Sequence, residues 1–448
     1  DGTLYSLKKT KDETQNLSLT IADTAIITAE GTTETLTING IDYTGVGLTN
    51  DYLADALANL RTVAASGITS GTSLTVRASA VFATDNVNFE NGTSDNSGGA
   101  VYNSGTFTAS GSTFSRSTAV FSGGAVHNSN MFTANNCTFN NNFTTHGGAV
   151  ENSYQDTFTA TSCSFSGNTA DNGGAVDNND GTVITTSCSF SGNTANYGGA
   201  VHNNRSFTAT SCSFSRNSAT KSGGAVFNCS YGMFKVTAST FSGNTANYGG
   251  AVHNESGTVF LKDCVFTTES DTIYNASTLS LSGANTFAGA VTNEGIVVFD
   301  LSSMTSGNET LIVDDFSKFS GGSYSVTISD KHAYDTYLLA GNAEAFSGTI
   351  SVTGFTSENQ LVLGVNVARE YNGKNYIFSR DDTEKTLFFQ ISENIAVTAL
   401  TGNKDGVTWT STDENPAKAV FATDDSFSEV LSVIAGENAV ATYGVPGR

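Results

Sequence analysis

From about Phe82 to Val291 apolar residues alternate with Ser, Thr and Asn in runs of three to five, and nowhere there do they follow a helical spacing. One unit, "DTFTATSCSFSGNTADNGGAVDNN", shows the pattern: Phe158 and Ala160, then Cys163 and Phe165, then Gly174, Val176 and Asn178 fall on one side. Ser, Gly, Asn or Asp bound each run, so the unit predicts three short strands and three turns. The unit recurs. Gly-Gly-Ala-Val starts at Gly98, Gly123, Gly147, Gly173, Gly198, Gly223 and Gly249, in steps of 25, 24, 26, 25, 25 and 26 residues. A period in this range marks a solenoid. Leucine-rich repeats need regular Leu and helical repeats need a 3.6 period, and neither occurs. The expected fold is therefore all-β: a right-handed parallel β-helix of about 25 residues per rung, right-handed because parallel crossovers take that hand.

Such a coil explains the repetition, down to "FSGNTANYGGAVHN" occurring unchanged from Phe190 and again from Phe241. Strands stack about 4.8 Å apart, so each inward residue must suit its own copies above and below. Expected ladders are Phe139, Phe165, Phe190, Phe214 and Phe241; Asn128, Asn152, Asn178, Asn203, Asn228 and Asn254; and Cys137, Cys163, Cys188 and Cys212. Cys264 shares the cysteine slot, and Ser112 and Ser239 fill it in other rungs. In-register cysteines run parallel without converging, so these are read as buried thiols acting as small hydrophobes. Cys229 falls elsewhere.

The regular coil is assigned to 79–300, with shorter rungs around Asn275 and Asn293 and a narrowing beyond Asp300. Residues 1–78 and 301–448 are β-rich ends that either cap the coil or join it to a neighbour. The N-terminal part is expected to hold one helix, with Leu53, Leu57 and Leu60 on one face and Asn50 or Asp51 as its cap. A fainter repeat relates the ends: "YSLKKTKDETQNLSLTIADTAIITA" at Tyr5 resembles "YIFSRDDTEKTLFFQISENIAVTA" at Tyr376, both read as hairpins. Tyr5, Leu7, Tyr376 and Phe378 are accordingly the candidates for assembly contacts.

Charge narrows the partners. With 42 acidic against 20 basic residues the net charge is −22, so nucleic acid or an anionic membrane would be repelled. No apolar run reaches membrane-spanning length, and no basic leader with an apolar stretch is visible. The start at Asp1 and the end at Arg448 fit a processed piece of a longer, extracellular protein.

Each Phe-x-x-Asn, from Phe139, Phe165, Phe190, Phe214 and Phe241, is followed by a Gly-Gly-Ala-Val. This pairing resembles the repeats of the chlamydial polymorphic outer-membrane proteins over about 90–260. The resemblance implies a secreted β-helix passenger displayed on a bacterial cell surface and used in adhesion. Two non-enzymatic roles stand side by side: an adhesin that contacts a cell or matrix ligand, and a subunit that stacks end to end into a surface fibre or sheath. The rival is a β-helix polysaccharide lyase or hydrolase.

Candidate chemistry is confined to the residue after each repeat Val, expected to point outward: Tyr102, His127, Glu151, Asp177, His202, Phe227 and His253. Glu151, Asp177 and His202 on successive rungs could form an acid/base site. His127, Glu151, Asp177, His202 and His253 could hold a divalent metal. The plainer reading is a solvent-facing stripe that is free to vary. No EF-hand or Gly-Gly-x-Gly-x-Asp repeat is present, so calcium is left as a candidate without a binding motif and no other cofactor is expected.

Overall fold

The computed structural model describes 81–304 without a break, most of 306–393, and isolated strands within 7–76 and 400–441. It is an all-β parallel β-helix. Every repeat supplies one strand to each of three faces. The Val-Asn face stacks eleven strands in parallel register, including Val150–Asn152, Val176–Asn178 and Val201–Asn203. The Phe-Ala face carries the longer strands, such as Thr157–Thr161 and Thr182–Thr186. The Phe-Ser face stacks nine short ones, such as Ser164–Ser166 and Ser189–Ser191.

The corners are fixed by left-handed residues, which turn the chain sharply without a long loop. Ser162, Ser187 and Ser211, each at φ 54°, separate the Phe-Ala from the Phe-Ser strand. The first Gly of each Gly-Gly-Ala-Val is also left-handed, as at Gly173 with φ 60°. The second is glycine for another reason: a Cβ on Gly174 would lie 2.1 Å from the Gly199 carbonyl of the next rung.

The bore is filled by stacked copies. Phe139, Phe165, Phe190, Phe214 and Phe241 form a continuous column with centroids 4.7 to 4.9 Å apart and nearly parallel rings. In the ladder from Asn103 to Asn293 each Nδ2 donates to the next Oδ1, for example 2.8 Å from Asn178 to Asn203 and 2.8 Å from Asn128 to Asn152. The Asn of Phe-x-x-Asn builds a second ladder, Asn142, Asn168, Asn193, Asn217 and Asn244, which ends on the carboxylate of Asp271. Amides suit these columns because each carries both a donor and an acceptor, so the chain of bonds never runs out of partners. Cys137, Cys163, Cys188, Cys212 and Cys264 lie in the bore as free thiols. Each Sγ donates to a backbone carbonyl, as Cys188 does to Thr186 at 3.3 Å, and burial pushes the Cys264 thiol up to about 11.

Parallel pairing does not stop at Asp300. Ile296–Asp300 pairs with Ser323–Thr327, which pairs with Thr349–Thr353. Only then does an antiparallel strand, Leu361–Gly364, end that face. At the other end the strands Thr35–Ile38 and Ile41–Thr44 are likewise antiparallel. A four-stranded antiparallel sheet of Asp335–Ala340, Thr386–Glu393, Lys374–Asp381 and Val367–Tyr371 adjoins the C-terminal end of the coil. Phe346 bridges them, packing edge-on against Phe378 of that sheet and against Phe316 and Tyr324 of the coil. Of the two hairpins noted at the ends, Leu7–Lys9 pairs antiparallel with Leu17–Leu19, and Lys374–Asp381 with Thr386–Glu393. The helix expected around Leu53, Leu57 and Leu60 lies outside the described residues, as does Tyr5. Among the described residues no helix is long and apolar enough to cross a membrane.

Candidate functional site

The residues after the repeat Val do leave the bore, but they are not a solvent-facing stripe. Glu151 is 4% exposed, Asp177 2%, Phe227 6% and His253 8%. The physical reason is the segment before each Gly-Gly, which runs beside the Val-Asn face and shields one flank of the stripe. Its residues, Ser97, Ser122, His146, Asn172, Tyr197, Ser222 and Tyr248, form a neighbouring column in register. Residues just past the ladder Asn, such as Ser129, Ser153 and Cys229, close the other flank.

Within this sheltered stripe the titratable groups bind one another. His127 Nδ1 lies 2.7 Å from Glu151 Oε2. Its Nε2 meets the Ser129 hydroxyl at 2.8 Å, and its ring stacks on Tyr102. Ser153 donates to Glu151. One rung on, His202 Nδ1 is 2.7 Å from Asp177 Oδ1 while His146 Nδ1 is 3.0 Å from Oδ2. Both oxygens of Asp177 are therefore engaged. His202 Nε2 then faces Cys229 Sγ at 3.5 Å, and its ring stacks on Phe227. His253 sits apart, among Phe227, Tyr248 and Tyr274, with its buried Nδ1 unpartnered.

Burial opposes the charge on Asp177, but the hydrogen bonds from His146 and His202 outweigh it and hold the carboxyl below its ordinary range. The bond to Asp177 likewise raises His146. Burial also works against protonated His202, yet Asp177 and Cys229 together lift it to about 10. For His253 burial meets little opposition and its pKa drops to about 4.

The candidate catalytic residues Glu151, Asp177 and His202 are thus adjacent in space, but each carboxylate is spent on an imidazole. Of the candidate metal ligands, His127 pairs with Glu151 and His202 with Asp177, while His253 stands apart, and among the described residues no three His, Cys, Asp or Glu side chains are placed to hold a metal ion. His146 and Cys229 are the members that sequence reasoning missed. The signal was present, since His146 occupies a column with the same period as the stripe, but only the fold shows that the two columns touch. Tyr376 and Phe378, candidates for assembly, are 4% and 0% exposed; Tyr376 faces Phe389 of their own sheet and Phe378 faces Phe346, which bridges the sheet to the coil.

Three stretches of the coil, 187–204, 211–229 and 238–255, match the Chlamydia polymorphic membrane protein (Chlamydia_PMP) repeat. These three stretches are similar to polymorphic membrane protein repeats. Each matched repeat opens on a left-handed corner residue, Ser187, Ser211 or Ala238, and closes one residue past the ladder Asn. The repeat therefore spans the Phe-Ser strand, the turn and the Val-Asn strand, where the stacking constraints are tightest. His202, Cys229 and His253 fall inside matched repeats, whereas His146 and Asp177 do not. No curated protein matches the chain.

The opposite shifts of His202 and His253 set a pH dependence. A histidine raised from 6.5 to about 10 contributes stability that is complete below pH 6.5 and is lost as pH rises toward 10. A histidine held neutral down to about 4 is destabilising as pH falls, because the unfolded chain binds a proton from about pH 6.5 that the fold refuses. Urea unfolding followed across pH should peak near pH 6.5. His253→Phe, which keeps a ring between Phe227 and Tyr274, should flatten the acid limb and leave the alkaline limb alone. An unchanged acid limb in that variant would remove His253 from the account.

Proposed function

We propose that this chain is a non-enzymatic β-helix displayed at a cell surface, acting by adhesion rather than by end-to-end stacking into a fibre. The observation that carries this reading is the antiparallel sheet against the C-terminal end of the coil. A coil that polymerises end to end must offer an open parallel edge and a bare core. Here Leu361–Gly364 ends the parallel face, and Tyr376, Phe378 and Phe389 are buried where a second copy would have to dock. The matched repeat belongs, by its name, to membrane proteins, which supports placement at a surface. Adhesion is supported by aromatic side chains on the outer turns: Phe121 is 59% exposed, Phe143 55% and Tyr154 63%.

The test is light scattering and negative-stain microscopy across protein concentration, with calcium and with chelator, followed by binding to cells and matrix. The expected result is a rod-shaped monomer at every concentration and saturable binding that weakens in Phe121→Ser with Phe143→Ser. Filaments with a repeat of one molecule's length would overturn the reading in favour of a fibre subunit. Release of products from acidic polysaccharides, lost in Asp177→Ala, would overturn it in favour of an enzyme.

A further inference from the structure

Five of the six cysteines line the bore, each 2% exposed or less, with sulfurs turned onto backbone carbonyls. Cys229 is different in every respect. It lies outside the bore, one residue past the ladder Asn228, where its neighbours in the stack are Asn204 and Glu255. Its Sγ is 3.5 Å from His202 Nε2 and donates to the side-chain oxygen Oδ1 of Asn204 at 2.9 Å. His202 in turn gives Nδ1 to Asp177 at 2.7 Å, and Phe227 stacks on the ring. The imidazole is therefore fixed in orientation on three sides, with its remaining nitrogen aimed at a sulfur. A thiol, a histidine and a carboxylate in this order are the arrangement that converts a thiol to a thiolate.

Cys229 is buried, but the turn that follows it is exposed. The next two residues, Ser230 and Tyr231, are both left-handed, at φ 51° and 65°. Gly232 N donates to the Cys229 carbonyl at 2.8 Å, which closes a two-residue turn of the kind usually built from Asn-Gly. Tyr231 at its tip is 91% exposed, and the Cys229 residue itself retains 6% exposure. The thiol thus sits directly under a tight exposed turn, whereas the other five are sealed by the coil.

We propose that Cys229 is an activated thiol, oriented by the Asp177–His202 pair, and that it takes disulfides into mixed-disulfide linkage. The thiolate attacks one sulfur of the disulfide. The Cys229–sulfur bond forms as the original sulfur–sulfur bond breaks, and the departing thiolate takes up the proton held on the His202 imidazole or one from solvent. Cys229 is oxidised to the disulfide level and the departing sulfur is reduced to a thiol, so no further oxidant is needed. Three groups bear on the thiolate: the His202 imidazole at 3.5 Å, which Asp177 and His146 surround, favours it, while Asn204 Oδ1 at 2.9 Å, which accepts from the thiol, and Glu255 in the next rung oppose it.

The experiment uses the whole folded chain, reduced and freed of reductant, with a dithiodipyridine and oxidised glutathione as probes. One equivalent of label per chain is expected, mapped to Cys229, while the bore thiols react only after denaturation. At pH 6 the rate should exceed that of free cysteine about tenfold, since the His202 imidazole beside the sulfur stabilises the charge of the attacking thiolate. His202→Gln should return the rate to that of free cysteine. The pH–rate profile of the unsubstituted chain gives the same answer without a variant: an inflection below pH 7 supports the proposal, and one near pH 8.5 overturns it. Equal labelling of all six cysteines, or none in the folded chain, also overturns it. Glutathione adducts on a monomer would mark small disulfides as the source of the captured sulfur.

Discussion

Replacing Phe190 by Ala should lower the unfolding free energy by about 3 to 5 kcal/mol, the cost typical of removing a fully buried aromatic ring from a core that cannot collapse. Phe190 is 0% exposed. Its ring is stacked between Phe165 and Phe214, each 4.8 Å away, and meets Phe207 edge-on at 6.4 Å. The rungs above and below are pinned by their own backbone ladders, so neither neighbour can move in to fill the gap. Urea unfolding followed by circular dichroism provides the measurement. Because solenoid rungs contact only their neighbours, the loss should also reduce cooperativity, with the two halves of the coil beginning to melt separately. Phe121→Ala, which removes an exposed ring from an outer turn, is the control and should change stability little. A Phe190→Ala loss below about 1 kcal/mol would mean that the stack is not what holds the rungs together.

Asp271→Ala should cost a comparable amount through a different mechanism. Asp271 is 1% exposed and ends the second amide ladder. Its Oδ1 accepts from the Asn244 backbone and side chain, at 2.9 and 3.0 Å. Its Oδ2 accepts from Gly243 N, Thr268 N and the Thr268 hydroxyl, at 3.0, 3.1 and 2.6 Å. Removing the carboxylate strands these donors, of which the two on Asn244 are fully buried. An unsatisfied buried donor costs about 1 to 3 kcal/mol, so those two alone would bring the loss to about 2 to 6 kcal/mol. Asp271→Asn should be milder, because its carbonyl oxygen can still receive Asn244 while its NH2 confronts the remaining donors. Hydrogen exchange should localise the damage to the rungs between Asn217 and Asn293. Protection that is unchanged there in Asp271→Ala would show that the ladder does not need an anionic end.

The coil was legible because stacking imposes the same demand at every turn. Phe165 must fit Phe139 and Phe190, and Asn178 must bond Asn152 and Asn203, so selection on the fold writes itself into the sequence as a period. The ladder of Asn142 to Asn244 was written as plainly, in Phe-x-x-Asn, but its anionic end at Asp271 follows no repeat. The continuation of parallel pairing to Thr353 was hidden for the same reason: the rung from Val291 to Phe319 is longer than its predecessors and carries no Gly-Gly-Ala-Val.

The site was only half legible. Period alone placed His127, Glu151, Asp177 and His202 on one line, since strand register fixes which residues share a face. It could not place His146 or Cys229 beside them, because these belong to columns on either side of the strand, and the fold of the intervening turns decides which columns touch. Burial was decided in the same way. A residue that points away from the bore is exposed or sheltered according to whether a neighbouring segment lies across it, and that depends on contacts between segments rather than on alternation along one. By itself the sequence determined the all-β coil, its rung length and the ladders within it, because those follow from each residue meeting its own copy. Tertiary structure alone decided that the outward stripe is sheltered, that Asp177 is shared by two histidines, that one of those histidines faces a thiol, and that an antiparallel sheet adjoins the C-terminal end of the coil. Each of these depends on unlike residues brought together from different columns, a meeting that no period can encode.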